Sequence, residues 1–289
     1  MTADQASALR ELMMEGKKPG RFGGTRIVAI TSGKGGVGKT SLAVNMGIEL
    51  SRKGLRVLIL DCDFGLSNVD VLLGTTSRMN LTHVLSGECS LRDIITTGPH
   101  GLRFIAGGSG ALSLLSISHW QLEGVLEQLR ELEDETDMIL LDTGAGVNDN
   151  ILSLISAADD ALFVITPEPT SVMDAYALVK AVLHYDRTPR LLALVNRAEN
   201  AAEAEGILQK FIAVVRLYLN ADIRSAGYIL ADEAVIRAIR AQKPFVIMSP
   251  RCAASRNVDS VAWGFMRDSA EAKPGAIQGF FNRLWKRNK

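Results

Sequence analysis

The chain has 289 residues, with 32 Lys plus Arg against 32 Asp plus Glu and 47% hydrophobic residues. That suits one large α/β domain or two small ones with an ordinary core. A net charge of zero creates no global field for nucleic acid or an acidic partner, so any basic patch is local. Cys62, Cys89 and Cys252 are odd in number, widely spaced and without a CxxC pair, which argues against a disulfide framework or a zinc site within one chain. The first residues show no charged leader before an apolar run, and no apolar stretch approaches the ~20 residues of a spanning helix. The expectation is a cytoplasmic protein.

In chain order, residues 4–14 can form a short helix with Ala6, Leu9, Leu12 and Met13 on one side. Gly16–Gly24 is rich in glycine and positive charge and reads as a flexible linker. The compact domain is expected over 25–272. A strand at Arg26–Thr31 is followed by a glycine loop and a helix to about Lys53. A strand at Arg56–Leu60 comes next, then short helical pieces at Val69–Leu73 and Leu81–Leu85 and a strand at Leu102–Ala106. A helix over about Ser118–Leu132 leads to strands at Met138–Leu141, Ala161–Ile165 and Leu191–Val195. Near-continuous apolar strands separated by helices predict a doubly wound, mostly parallel sheet covered on both faces. Residues 273–289 change character and form a third element.

Gly33-Lys34-Gly35-Gly36-Val37-Gly38-Lys39-Thr40 fits the phosphate-loop pattern, after a strand and at the start of a helix, with Ser41 next. Glycines let backbone N–H groups turn onto phosphates, and the helix N-terminus favours an anion. Lys39 is expected on the β- and γ-phosphates, and the Thr40 hydroxyl on Mg²⁺. Asp61 and Asp63 follow a strand, where ligands bind in parallel α/β sheets; aspartates there also make turns. Asp142 ends an apolar strand ahead of Thr-Gly-Ala-Gly146, the arrangement of a Mg²⁺-contacting acid beside a mobile γ-phosphate loop. No base is aimed at an acceptor hydroxyl, so ATP hydrolysis fits better than phosphoryl transfer to a substrate. Asn196 follows a strand and its amide can pair with a base edge, though asparagine there is often a turn residue.

Gly-Lys-Gly-Gly-x-Gly-Lys-Thr, with its extra Lys34, resembles the deviant phosphate loop of the MinD/ParA superfamily, and the likeness runs from about Ile27 to Ala254. It implies that Lys34 reaches ATP held by the opposing subunit of an ATP-dependent homodimer. It also implies that Asp63 orients the attacking water, that Asp61 helps hold the Mg²⁺ shell, and that Asn196, with Arg197 beside it, reads adenine. Thr166–Asp174 matches family positions too.

Two terminal segments discriminate within the superfamily. In the last, Ile277, Phe280, Phe281, Leu284 and Trp285 fall on one helical face, with Arg283, Lys286, Arg287 and Lys289 on or beside the other. That is the pattern of an interfacial anchor for inner-membrane lipids; a helix docked on the core is the alternative. Asp4-Gln5-Ala-Ser-Ala-Leu9-Arg10 resembles the activator element of FlhG/FleN-type flagellar number regulators. The resemblance implies that Gln5 is inserted into a signal-recognition-type GTPase partner (FlhF-like), with Leu9 and Arg10 fixing the helix. A flagellar transcription regulator or switch-complex proteins are further implied partners. The rival readings are a MinD-type division-site regulator and a ParA-type DNA partition ATPase. The neutral charge and aromatic tail do not favour DNA, and sequence-specific nucleic acid is not expected.

Overall fold

The computed structural model describes residues 24–63, 68–77, 79–107, 119–184, 189–267 and 275–285. The expected N-terminal helix, with Asp4, Gln5, Leu9 and Arg10, lies outside the described residues, as do most of the linker and Lys286, Arg287 and Lys289.

One sheet organises the chain. Its strands are β1 (Arg26–Ser32), β2 (Val57–Cys62), β3 (Thr96–Thr97), β4 (Arg103–Ile105), β5 (Met138–Ala145), β6 (Asp160–Ile165), β7 (Arg190–Ala198) and β8 (Ile223–Leu230), in the order β3-β4-β2-β5-β1-β6-β7-β8. Every pairing is parallel except the short β3–β4 edge. All seven residues of β1 are buried. Successive side chains of a strand point to opposite faces, so Ile27 and Ala29 enter one core layer while Val28 and Ile30 enter the other. β5 divides in the same way, Ile139 and Leu141 against Met138 and Leu140.

The helices cover both faces. On one lie α1 (Lys39–Arg52), α2 (Asn68–Leu73), α8 (Glu233–Arg240), α9 (Phe245–Met248) and α10 (Ala253–Arg267). On the other lie α3 (Leu81–Leu85), α4 (His119–Glu131), α5 (Asp149–Ala157), α6 (Pro169–Val182), α7 (Ala201–Leu219) and α11 (Ala276–Trp285). From β1 the chain winds outward to β2 and β4, returns to β5, then runs the other way through β6, β7 and β8. The carboxyl ends of β1, β2 and β5 therefore converge where the winding reverses, the usual ligand crevice of such sheets.

Two elements depart from the sequence reading. β8 had no strand signal: Arg224 and Ser225 are exposed at this sheet edge, and Gly227, at φ 110°, accompanies a register shift. An edge strand with a bulge lacks the continuous apolar run that marks its buried neighbours. The last segment, expected as a separate element, is a helix whose apolar face joins the core. Ile277, Phe280 and Phe281 are buried and Leu284 packs beside them, while the Trp285 side chain lies outside the described residues. Arg283 Nε donates to the Ala157 carbonyl at 2.7 Å, where a cation also complements the C-terminal field of α5. No helix among the described residues is long and apolar enough to cross a membrane.

At the amino end of the sheet, buried Asp160 of β6 accepts from the guanidinium groups of both Arg26 (β1) and Arg190 (β7). Asp160→Ala would leave the Arg26 charge buried without its carboxylate, so a loss of about 3–5 kcal/mol is expected in urea unfolding. A loss below about 1 kcal/mol would show that this pin is dispensable.

Candidate active site

The loop between β1 and α1 is shaped by close approach. A Cβ at Gly33 would lie 2.3 Å from the Asp174 backbone of α6, and one at Gly38 only 2.5 Å from Asn196 Nδ2. Gly38 also holds φ 99° at the N-cap of α1, a left-handed conformation suited to glycine. The loop is braced from both sides. Ser32 Oγ donates to the Lys34 carbonyl at 2.7 Å and accepts from Lys39 Nζ at 3.1 Å. Asn196 Nδ2 donates to the Val37 carbonyl at 2.7 Å.

Behind the loop, charges sit out of water. Lys39 is 8% exposed, Asp61 3% and Asp142 0%. β2–β5 pairing sets Asp61 directly beside Asp142. Burial pushes the Asp142 carboxyl up to about 7; the Thr40 hydroxyl and Lys39 pull it back, while Asp61 and Asp63 push it further. Although Thr40 stands near, neither Asp142 oxygen accepts a hydrogen bond of ordinary geometry. Burial also raises Asp61 to about 6, against the backbone N–H groups of Asp63, Asn68 and Val69, which donate to it at 3.1, 3.1 and 3.5 Å. Lys39 is lowered by burial, with Asp142 and Asp63 opposing. Asp63 is half-buried, and its Oδ1 lies 3.6 Å from where a Gly144 Cβ would stand.

This arrangement fits Mg²⁺ with a polyphosphate. A fully buried carboxylate lacking ordinary partners is costly, and a divalent cation held with Thr40 would offset it. Among the described residues no group of three or more His, Cys, Asp or Glu side chains could hold a metal alone. Magnesium commonly needs only one or two carboxylates together with substrate phosphates.

Beside the loop opens a cavity of about 370 Å³, bounded by Gly38, Ser41 and Leu42 on one side and Asn196 and Arg197 on another. Its remaining wall, Ile229–Asp232 with Val235, Ile236, Ile239 and Phe245, was not singled out in the sequence. The signal available was the N-cap Asp232 just after an apolar run; its side chain accepts from Ala234 N at 2.9 Å. The Asn196 amide gives one of its two hydrogens to the loop and accepts from Arg197 N at 3.0 Å, which leaves it a second donor and a second lone pair. The residue expected to read the base thus also braces the phosphate loop. Arg197 is exposed, in the left-handed region at φ 64°. Lys34 lies outside the buried cluster and meets Glu168 at 2.7 Å, within the Thr166–Asp174 segment named above but with no role assigned to it there.

The AAA domain family matches residues 25–191. The antiactivator FleN of Pseudomonas aeruginosa is 36% identical over 269 residues, 93% of this chain and 96% of its own. The flagellum site-determining protein YlxH of Helicobacter pylori is 32% identical over 301 residues, 98% of each chain. Among solved structures, the MinD cell division protein of Aquifex aeolicus superposes with a TM-score of 0.69 at 26% identity, over 86% of this chain and 99% of that one.

Asp61 and Asp142 stand above the ~4 of an unfolded aspartate. The folded, ligand-free chain therefore holds extra protons between about pH 4 and 7, and their stabilising contribution is lost as pH rises through that window. The melting temperature without nucleotide is expected to fall from about pH 5 to pH 8, and Asp142→Asn is expected to flatten the fall. An identical slope in that variant would contradict the assignment.

Proposed function

Because the chain belongs to the MinD/ParA family of P-loop ATPases, we propose that it is an ATP-driven switch controlling flagellar number and placement. The observation carrying this reading is the near end-to-end match to FleN and YlxH, joined to a phosphate loop backed by two buried carboxylates.

The reaction is ATP plus water to ADP plus phosphate. Loop N–H groups and the start of α1 hold the phosphates, and Lys39 supplies positive charge from a dry site, where it acts more strongly than in water. Bound Mg²⁺ would neutralise phosphate charge beside Asp142, Asp61 and Thr40. Asp63, half-buried next to Gly144, orients the attacking water. The cavity beside Asn196 and Arg197 takes the base and ribose. Lys34 completes the site of a facing chain, so hydrolysis depends on an ATP-bound homodimer.

The termini carry the output. The apolar face of α11, now against the core, serves inner-membrane lipids after release. Burying each large apolar side chain yields at most about 1.5–3 kcal/mol, and partial insertion with the cost of ordering the helix removes much of that at a membrane, so one tail alone is a marginal anchor. Two tails on one dimer gain by avidity what one lacks. Residues 1–24, through Gln5, Leu9 and Arg10, stimulate an FlhF-like GTPase, and a flagellar transcription regulator or switch-complex proteins are further partners. The protein is accordingly cytoplasmic, and peripheral on the membrane when bound to ATP.

Two measurements test this. ATP hydrolysis per chain should rise with protein concentration in the wild type, and Lys34→Ala should abolish the rise; a flat, unaffected rate would exclude dimer-dependent catalysis. A peptide covering residues 1–24 should stimulate GTP hydrolysis by the cognate FlhF-like partner and lose that effect on Gln5→Ala. No stimulation of an active partner would move the division-site reading ahead.

A further inference from the structure

Lys34 does not point freely from the loop. Its Nζ donates to Glu168 Oε2 at 2.7 Å and to Thr170 Oγ1 at 3.3 Å, both at the start of α6 in the same chain. Glu168 occupies the N-cap position of that 14-residue helix but makes no capping hydrogen bond, and Pro169 follows it. Its carboxylate is directed at Lys34 instead. The geometry is enforced by the close approach of Gly33 to the Asp174 backbone, which sets the loop against the first turns of α6.

We propose that Glu168 and Thr170 park Lys34 against its own chain, so that the lysine becomes available to a facing copy only by breaking this contact. The proposal rests on the dimer-dependent role of Lys34 given above. The positive end of α6 disfavours a cation beside it, so without the Glu168 carboxylate Lys34 has little reason to lie there. Lys34 and Glu168 are 42% and 58% exposed, and exposed pairs contribute little and are screened by salt. The latch is therefore weak enough to open on association. Arg197 also lowers the Glu168 carboxyl, after Lys34 itself; it leaves Glu168 a nearby cation once Lys34 departs. Glu168 is thus a positioning residue, acting through Lys34.

The test uses the full chain with Mg²⁺ and a non-hydrolysable ATP analogue, measuring the concentration of half-dimerisation by sedimentation. Glu168→Gln, which breaks one contact in each of two chains, should lower that concentration about two- to tenfold. Thr170→Val should shift it less, in the same direction. The gap between Glu168→Gln and wild type should close as salt rises, which a merely structural effect would not do. A midpoint unmoved or raised by Glu168→Gln overturns the parking role. Lys34→Ala separates the two levels. If it leaves hydrolysis per chain unchanged, the dimer reading falls and the proposal with it. If hydrolysis is lost while Glu168→Gln leaves the midpoint in place, the parking role alone is overturned.

Discussion

The site depends on holding Lys39, Asp61 and Asp142 out of water at the carboxyl ends of neighbouring parallel strands. A parallel sheet covered on both faces makes that possible, because β1, β2 and β5 are flanked by helices and bring their ends together without solvent between them. The same shielding makes unpaired charge there costly. Asp61 is answered by three backbone N–H groups and Lys39 by Ser32, but Asp142 lacks ordinary hydrogen bonds. Nucleotide and metal therefore complete an electrostatic arrangement that the fold begins, and their binding is linked to stability as well as to chemistry.

The phosphate loop and the central strands were legible in the sequence for local reasons. Gly33–Thr40 encodes backbone conformation and charge within eight residues, and Arg26–Thr31 and Met138–Leu141 are buried on both sides, leaving unbroken apolar runs. Features assembled over distance were not legible. β8 is strand-like only because β7 and α10 flank it, and its exposed Arg224 and bulged Gly227 mask the pattern. The far wall of the cavity beside Asn196 comes from 229–245, well beyond Asn196 in the chain and marked locally only by the N-cap Asp232. Glu168 lies within Thr166–Asp174, where nothing in the local pattern ties it to Lys34; only the folding of α6 against Gly33 brings the two together.

Asn196 faces two parts of the site at once. An amide after a strand suggested base recognition, and the structure puts it in the cavity wall. One of its two donor hydrogens goes to the Val37 carbonyl, and the absent side chain of Gly38 makes room for that contact. This cavity and the phosphate loop thus share one residue, which joins two regions more than 150 positions apart in the chain.

Helix α11 places an unusual restriction on sequence variation. Ile277, Phe280 and Phe281 seat the helix in the core, and under the proposed cycle the same atoms would enter lipid. Making any of them more or less apolar alters both positions together, so the balance between stored and deployed tails is insensitive to hydrophobicity at these sites. The polar rim is free of that restriction. Arg283 grips the end of α5 in one position alone, and half-buried Gln278 pairs with exposed Asn282 across one turn. Relatives working in membranes of different composition would be tuned through such rim positions, while the apolar face stays nearly fixed.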